Sequence, residues 1–93
     1  MSKFAKGKSW IEHRLDPNLA IDDRNYTVNL LARKGTGVQG FRVTVVFIPH
    51  DGGNPIERSM PNASNTADVH RMTRELTGDA ARLRALYEEM TQS

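Results

Sequence analysis

The chain contains no cysteine. Disulfide staples and thiolate metal ligands are therefore excluded, and a cytoplasmic setting becomes the default expectation. Aromatic residues are scarce at 6%, with three Phe, two Tyr and a single Trp. Hydrophobic residues reach only 38%, below the usual share for a globular domain. A chain of this length buries only ~60–65% of the surface its unfolded form exposes, so its core is thin. No apolar run approaches the ~18 residues of a membrane span, and the N-terminus lacks the apolar stretch of a secretory signal. Neither sign of charge dominates: 13 Lys and Arg stand against 11 Asp and Glu, for a net +2. Residues 1–60 hold nine basic and six acidic side chains, and residues 61–93 hold four and five. This mild basic bias falls short of the dense clusters of dedicated nucleic-acid binders.

Catalytic equipment is also missing. There is no Gly-x-Ser-x-Gly, no phosphate-binding Gly-x-x-x-x-Gly-Lys-Ser/Thr and no cysteine nucleophile. His13, His50 and His70 fall on three separate predicted elements, none with a partner at His-x-x-x-His spacing. His50-Asp51 sits in a turn that already accounts for the aspartate, and Asp22-Asp23 reads as a wet loop pair. Gly35-Thr36-Gly37-Val38-Gln39-Gly40 matches the dinucleotide fingerprint Gly-x-Gly-x-x-Gly, but a strand follows it where the fingerprint requires a helix. Glycines serve a hairpin tip equally well, through their access to positive φ. No catalytic, cofactor-binding or metal-ligating set emerges, and the expectation is a protein that is not an enzyme.

What the chain does have is strand signal. Phe41–Ile48 is dense in β-branched and aromatic residues, with Phe41, Val43, Val45 and Phe47 on one face at period two. Its other face starts polar at Arg42 and Thr44 and turns apolar at Val46 and Ile48. Tyr26–Arg33 is a second strand, with Tyr26, Val28, Leu30 and Ala32 on one face and Thr27, Asn29, Leu31 and Arg33 on the other. Antiparallel pairing must set core face against core face. That requirement puts Ala32 opposite Val43, Leu30 opposite Val45 and Val28 opposite Phe47, with Gly35–Gly40 as the loop. The turn Pro49–Pro55 then leads to a short edge strand, Ile56–Met60, with Phe47 opposite Ile56. Ser9–Leu15 is ambiguous. Ser9-Trp10-Ile11-Glu12 fits a helical capping box, whereas Ile11, His13 and Leu15 alternate as in a strand. Asp16–Asn25 reads as a loop pinned by Leu19 and Ile21. Residues 1–8 read as a flexible basic arm ahead of a single domain over 9–93.

Asn65 is the expected N-cap of a C-terminal helix, with Asp68 at N3. Val69, Leu76, Leu83 and Met90 recur every seven residues, and the apolar stripe passes Gly78 without losing phase. The periodicity therefore predicts one helix from about Asn65 to Met90, bending at most at Gly78; the alternative is a break at Gly78 that folds the second half back on the sheet and leaves the chain monomeric. The fold class is α+β: a small antiparallel meander of three or four strands followed by one long helix. Such a helix would be ~39 Å long against ~27 Å for an eight-residue strand, and its far end would overhang the sheet. A twofold copy covering the stripe of Val69, Met72, Leu76, Leu83, Leu86, Tyr87 and Met90 follows as an expectation.

Two functional classes remain. The first is a non-enzymatic protein–protein interaction module, a homodimeric adaptor, inhibitor or assembly subunit, resting on that stripe and on the outward Leu31, Val46 and Ile48. The second is a nucleic-acid binder using Lys3, Lys6, Lys8, Arg33, Lys34, Arg42 and Arg58. If Ser9–Leu15 is a helix, the element order resembles that of the double-stranded RNA-binding domain. The resemblance stops at order: where that family places basic residues at the start of its last helix, this chain has Asn65-Thr66-Ala67-Asp68-Val69-His70.

Overall fold

A computed structural model describes residues 10–34 and 40–92, with side chains to residue 89. The N-terminal arm with Lys3, Lys6 and Lys8, most of the glycine-rich loop, and the Met90 side chain lie outside the described residues. Four strands form an antiparallel sheet in the order β1-β2-β3-β4: β1 Trp10–Ile21, β2 Arg24–Lys34, β3 Phe41–Pro49 and β4 Ile56–Ala63. Two helices follow, α1 Thr66–Leu76 and α2 Ala80–Gln92.

The β2–β3 register is the one demanded by face matching: Ala32 opposite Val43, Leu30 opposite Val45, Val28 opposite Phe47. Phe47 likewise stands opposite Ile56 across β3 and β4. The face carrying Tyr26, Val28, Leu30, Ala32, Val43, Val45 and Phe47 is buried, and Leu15, Leu19, Ile21 and Ala63 extend it to the outer strands. Both helices lie on this face, contributing Val69, Leu76, Leu83 and Leu86. Three of the six aromatics gather here. Tyr87 lies 5.4 Å from Tyr26 and 5.5 Å from Phe47, ring centre to ring centre. The two tyrosine hydroxyls hydrogen-bond at 3.1 Å, and burial, with that bond, pushes the Tyr26 phenol above its ordinary pKa.

One ambiguity is resolved and two expectations are corrected. Ser9–Leu15 resolves as strand from Trp10 onward, so the helix that the order of the double-stranded RNA-binding domain required of this segment is not formed there. Asp16–Asn25 is not a loop. β1 runs on to Ile21 through two register irregularities around Asp16-Pro17-Asn18, and only Asp22-Asp23 turns the chain, Asp22 at φ 54°. Pro17 is tolerated because β1 is an edge strand, and the Asp16 carboxylate accepts the Asn18 N–H at 2.9 Å. The long helix is two helices. Asn65 caps α1 as expected, its side chain accepting the Asp68 N–H at 2.9 Å. Thr77 then leaves helical geometry, and Gly78 adopts φ 75°. Asp79 restarts the helix by accepting the Arg82 N–H at 3.1 Å.

The break keeps the apolar phase, so Val69, Leu76 and Leu83 all meet the same core. It also brings the joint to the edge of β1, where the Gly78 N–H donates to the Leu15 carbonyl at 3.2 Å. Arg84 donates from Nε to the Ala20 carbonyl at 2.9 Å. The helix pair therefore covers the sheet and part of one edge, where a straight rod would overhang.

Candidate functional site

Alternation along each strand sends the remaining side chains to the other face of the sheet, over which no described element lies. Cross-strand pairing arranges them in rows. Trp10, Arg33 and Arg42 form one row; Glu12, Leu31, Thr44 and Ser59 the next; Arg14, Asn29, Val46 and Glu57 the third. Thr27 opposite Ile48 continues toward the β3–β4 turn. Leu31, Thr44, Val46 and Ile48 are half-buried by their neighbours alone, and Trp10 is an exposed large hydrophobe.

The polar side chains of this face are ordered. Asn29, buried beneath longer neighbours, accepts from Arg14 Nε at 3.2 Å and donates to the Glu12 carboxylate at 3.3 Å. One amide thus holds a cation and an anion at fixed positions on β1. Thr27 donates its only hydroxyl hydrogen to the Pro17 carbonyl at 3.1 Å, so at its 2.8 Å contact with His50 Nε2 it accepts. His50 is thereby the Nε2–H donor. Its neighbour Asp51 is engaged elsewhere, by Arg24 at 2.9 and 3.0 Å and by the Gly53 N–H at 3.0 Å. Those bonds hold the Asp51 carboxyl below its ordinary pKa, and they leave no His50–Asp51 acid–base pair.

The basic residues picked out in the sequence scatter. Arg33 and Arg42 stand directly opposite one another on the open face. Lys34 alternates to the other side. Arg58 belongs to the helix side and pairs with Glu89 of α2 at 2.6 Å. Of the helix stripe, Val69, Leu76, Leu83 and Leu86 are in the chain's own core, and Met72 and Tyr87 pack half-buried against it. These side chains are covered without a second copy.

Sequence spacing missed one pairing. His13 of β1 and His70 of α1, far apart in the chain, have ring centres 5.4 Å apart at an interplanar angle of 72°. They line a shallow cavity with Thr73 and Arg74. Among the described residues no group of three or more His, Cys, Asp or Glu converges, and no helix is long and apolar enough to cross a membrane. No family, no curated protein and no solved structure matches this chain.

Proposed function

We propose that this chain is a non-enzymatic protein–protein interaction module, and that its docking surface is the open face of the sheet. The observation that carries the reading is the diagonal of half-buried Leu31, Val46 and Ile48, one from each of three successive cross-strand rows, bordered by Arg14, Arg33, Arg42, Glu12 and Glu57. An apolar centre with a charged rim is the anatomy of a protein interface. The occupant we assign is a second copy. The rim carries both signs of charge, so a twofold-related face sets acid against base, and two sheets meeting this way form a sandwich. The dimer thus passes from the helix stripe, spent in the core, to the sheet. The absence of cysteine supports a cytoplasmic setting for it.

Light scattering coupled to size exclusion at ~50 µM tests the proposal, in the range where modest interfaces are occupied. A dimer mass is expected, with monomer for Val46→Asp at retained circular dichroism. A monomeric wild-type chain overturns the homodimer.

The second reading is nucleic-acid binding. What favours it is Arg33 opposite Arg42, a like-charge cross-strand pair that costs stability and has no acidic partner among the described residues. Mobility shifts with DNA and RNA at two salt concentrations separate the readings. Submicromolar binding that weakens steeply with salt, and fails in Arg33→Glu, supports the second.

A further inference from the structure

We infer that His13 and His70 together form a binding site for a divalent transition-metal ion. The site is independent of the open sheet face: His13 alternates to the helix side of β1, and His70 is exposed on α1.

Three observations converge. The first is distance. An imidazole nitrogen binds zinc at about 2.0–2.1 Å, which puts the ion about 3.2 Å from the ring centre. Two imidazoles on one tetrahedral ion then have ring centres about 5.2 Å apart. His13 and His70 are at 5.4 Å, with rings inclined at 72° rather than stacked. The second is an unmet bond. His13 Nε2 is buried and has no hydrogen-bond partner among the described residues. A ring nitrogen in that state costs stability unless something supplies a partner, and a metal ion is one such partner. The third is access. The two rings line a shallow recess, open to solvent, with Thr73 and Arg74, beside the buried nitrogen.

The composition of the cavity sets what completes the sphere. Thr73 is committed, donating its hydroxyl to the Val69 carbonyl at 2.9 Å. Arg74 brings a positive charge, which disfavours a bare cation and favours an anion in one of the open positions. With two protein ligands the remaining positions fall to water and a small anion such as chloride or a carboxylate. Such a site is more open than a closed structural zinc centre. Imidazole is a borderline ligand that also suits copper and nickel, so the class is first-row divalent ions rather than zinc alone.

The competing account is a plain edge-to-face contact in which one imidazole N–H points at the other ring. Calorimetric titration of the tag-free chain with ZnCl₂ and with CuCl₂ distinguishes the two. One ion per chain is expected, weakened at least ~10-fold in both His13→Ala and His70→Ala and unchanged in His50→Ala. Electron paramagnetic resonance of the copper form is expected to show two coupled nitrogens in the wild type and one in either variant. Circular dichroism checks folding. Should His13→Ala unfold, His70→Ala, on the exposed side of α1, decides alone. Absence of stoichiometric binding, or equal loss in His50→Ala, overturns the site.

Discussion

The two faces of the sheet are built from the same strands and nearly the same alphabet, yet they behave differently. On the helix side, Val28, Leu30, Ala32, Val45 and Phe47 are wholly buried. On the open side, Leu31, Val46 and Ile48 stay half-exposed, although as apolar residues they would suit a core equally well. Burial here is decided by what the helices cover rather than by the strand residue itself. The polar groups differ in the same sense. The helix side keeps its tyrosine hydroxyls paired with each other, whereas the open side spends Asn29 on holding Glu12 and Arg14 in place.

The sharpest test of this contrast is a substitution on each side. Phe47→Ala is expected to cost about 3–5 kcal/mol, the range for deleting a buried ring, whereas Val46→Thr one position away should cost under about 1 kcal/mol. Urea denaturation followed by circular dichroism, at a dilution where the chain is monomeric, measures both, and a comparable loss at Val46 there would mean that the strand residue rather than helix cover decides burial. Gly40→Ala comes next. Gly40 sits at φ 84°, and an added Cβ would lie 2.1 Å from the Ala63 carbonyl oxygen. Strained backbone and steric overlap together predict a loss of about 2–3 kcal/mol. Gly78→Ala shares the positive φ but meets open space, so only the backbone term remains, about 1–2 kcal/mol. The difference between the two glycine variants isolates the contact with β4.

The smallest effect concerns the exposed carboxylates. Asp51 is held below its ordinary pKa by Arg24 and the Gly53 N–H, and Asp68 by the Ser64 N–H and Arg71. A depressed folded-state pKa stabilises above the unfolded value and ceases to do so as pH falls through the folded one. Asp51→Asn and Asp68→Asn should therefore lower the melting temperature slightly at pH 7 and converge with the wild type as the pH falls beneath the usual carboxylate range. Thermal melts across that interval check it.

The strands and their pairing were legible because period-two alternation in Tyr26–Arg33 and Phe41–Ile48 leaves a single register that matches faces. The N-cap at Asn65 was legible because Asn-x-x-Asp acts locally. The helix break at Gly78 was visible only as the less favoured alternative. Thr77, Gly78 and Asp79 interrupt the helix without disturbing the apolar phase, so a periodicity argument passes over them. The break joins local signals, Gly78 at positive φ and the Asp79 cap, to a tertiary one, the Gly78 N–H meeting Leu15. The strand character of Asp16–Ile21 was hidden by Pro17, which an edge strand accepts and a central one would not. For the open face, Leu31, Val46 and Ile48 were visible as outward apolar residues, and nothing in strand periodicity says how many helices lie on which side. The His13–His70 contact joins two elements remote in sequence, beyond the reach of any spacing motif.

The joint between the helices also has a consequence in time. Leu15 and Ala20 lie on the first strand, and the groups that satisfy their carbonyls, the Gly78 N–H and the Arg84 guanidinium, belong to the last elements. A ribosome adds about 5–20 residues per second. The β1 edge therefore waits for several seconds after its own synthesis before its seal exists. During that interval the nascent sheet carries an open edge of the kind that invites pairing with another chain. The segment that ends the first strand's exposure is thus made well after it, and a chain stopped after Leu76 is expected to aggregate where residues 1–93 stay dispersed, as light scattering would register.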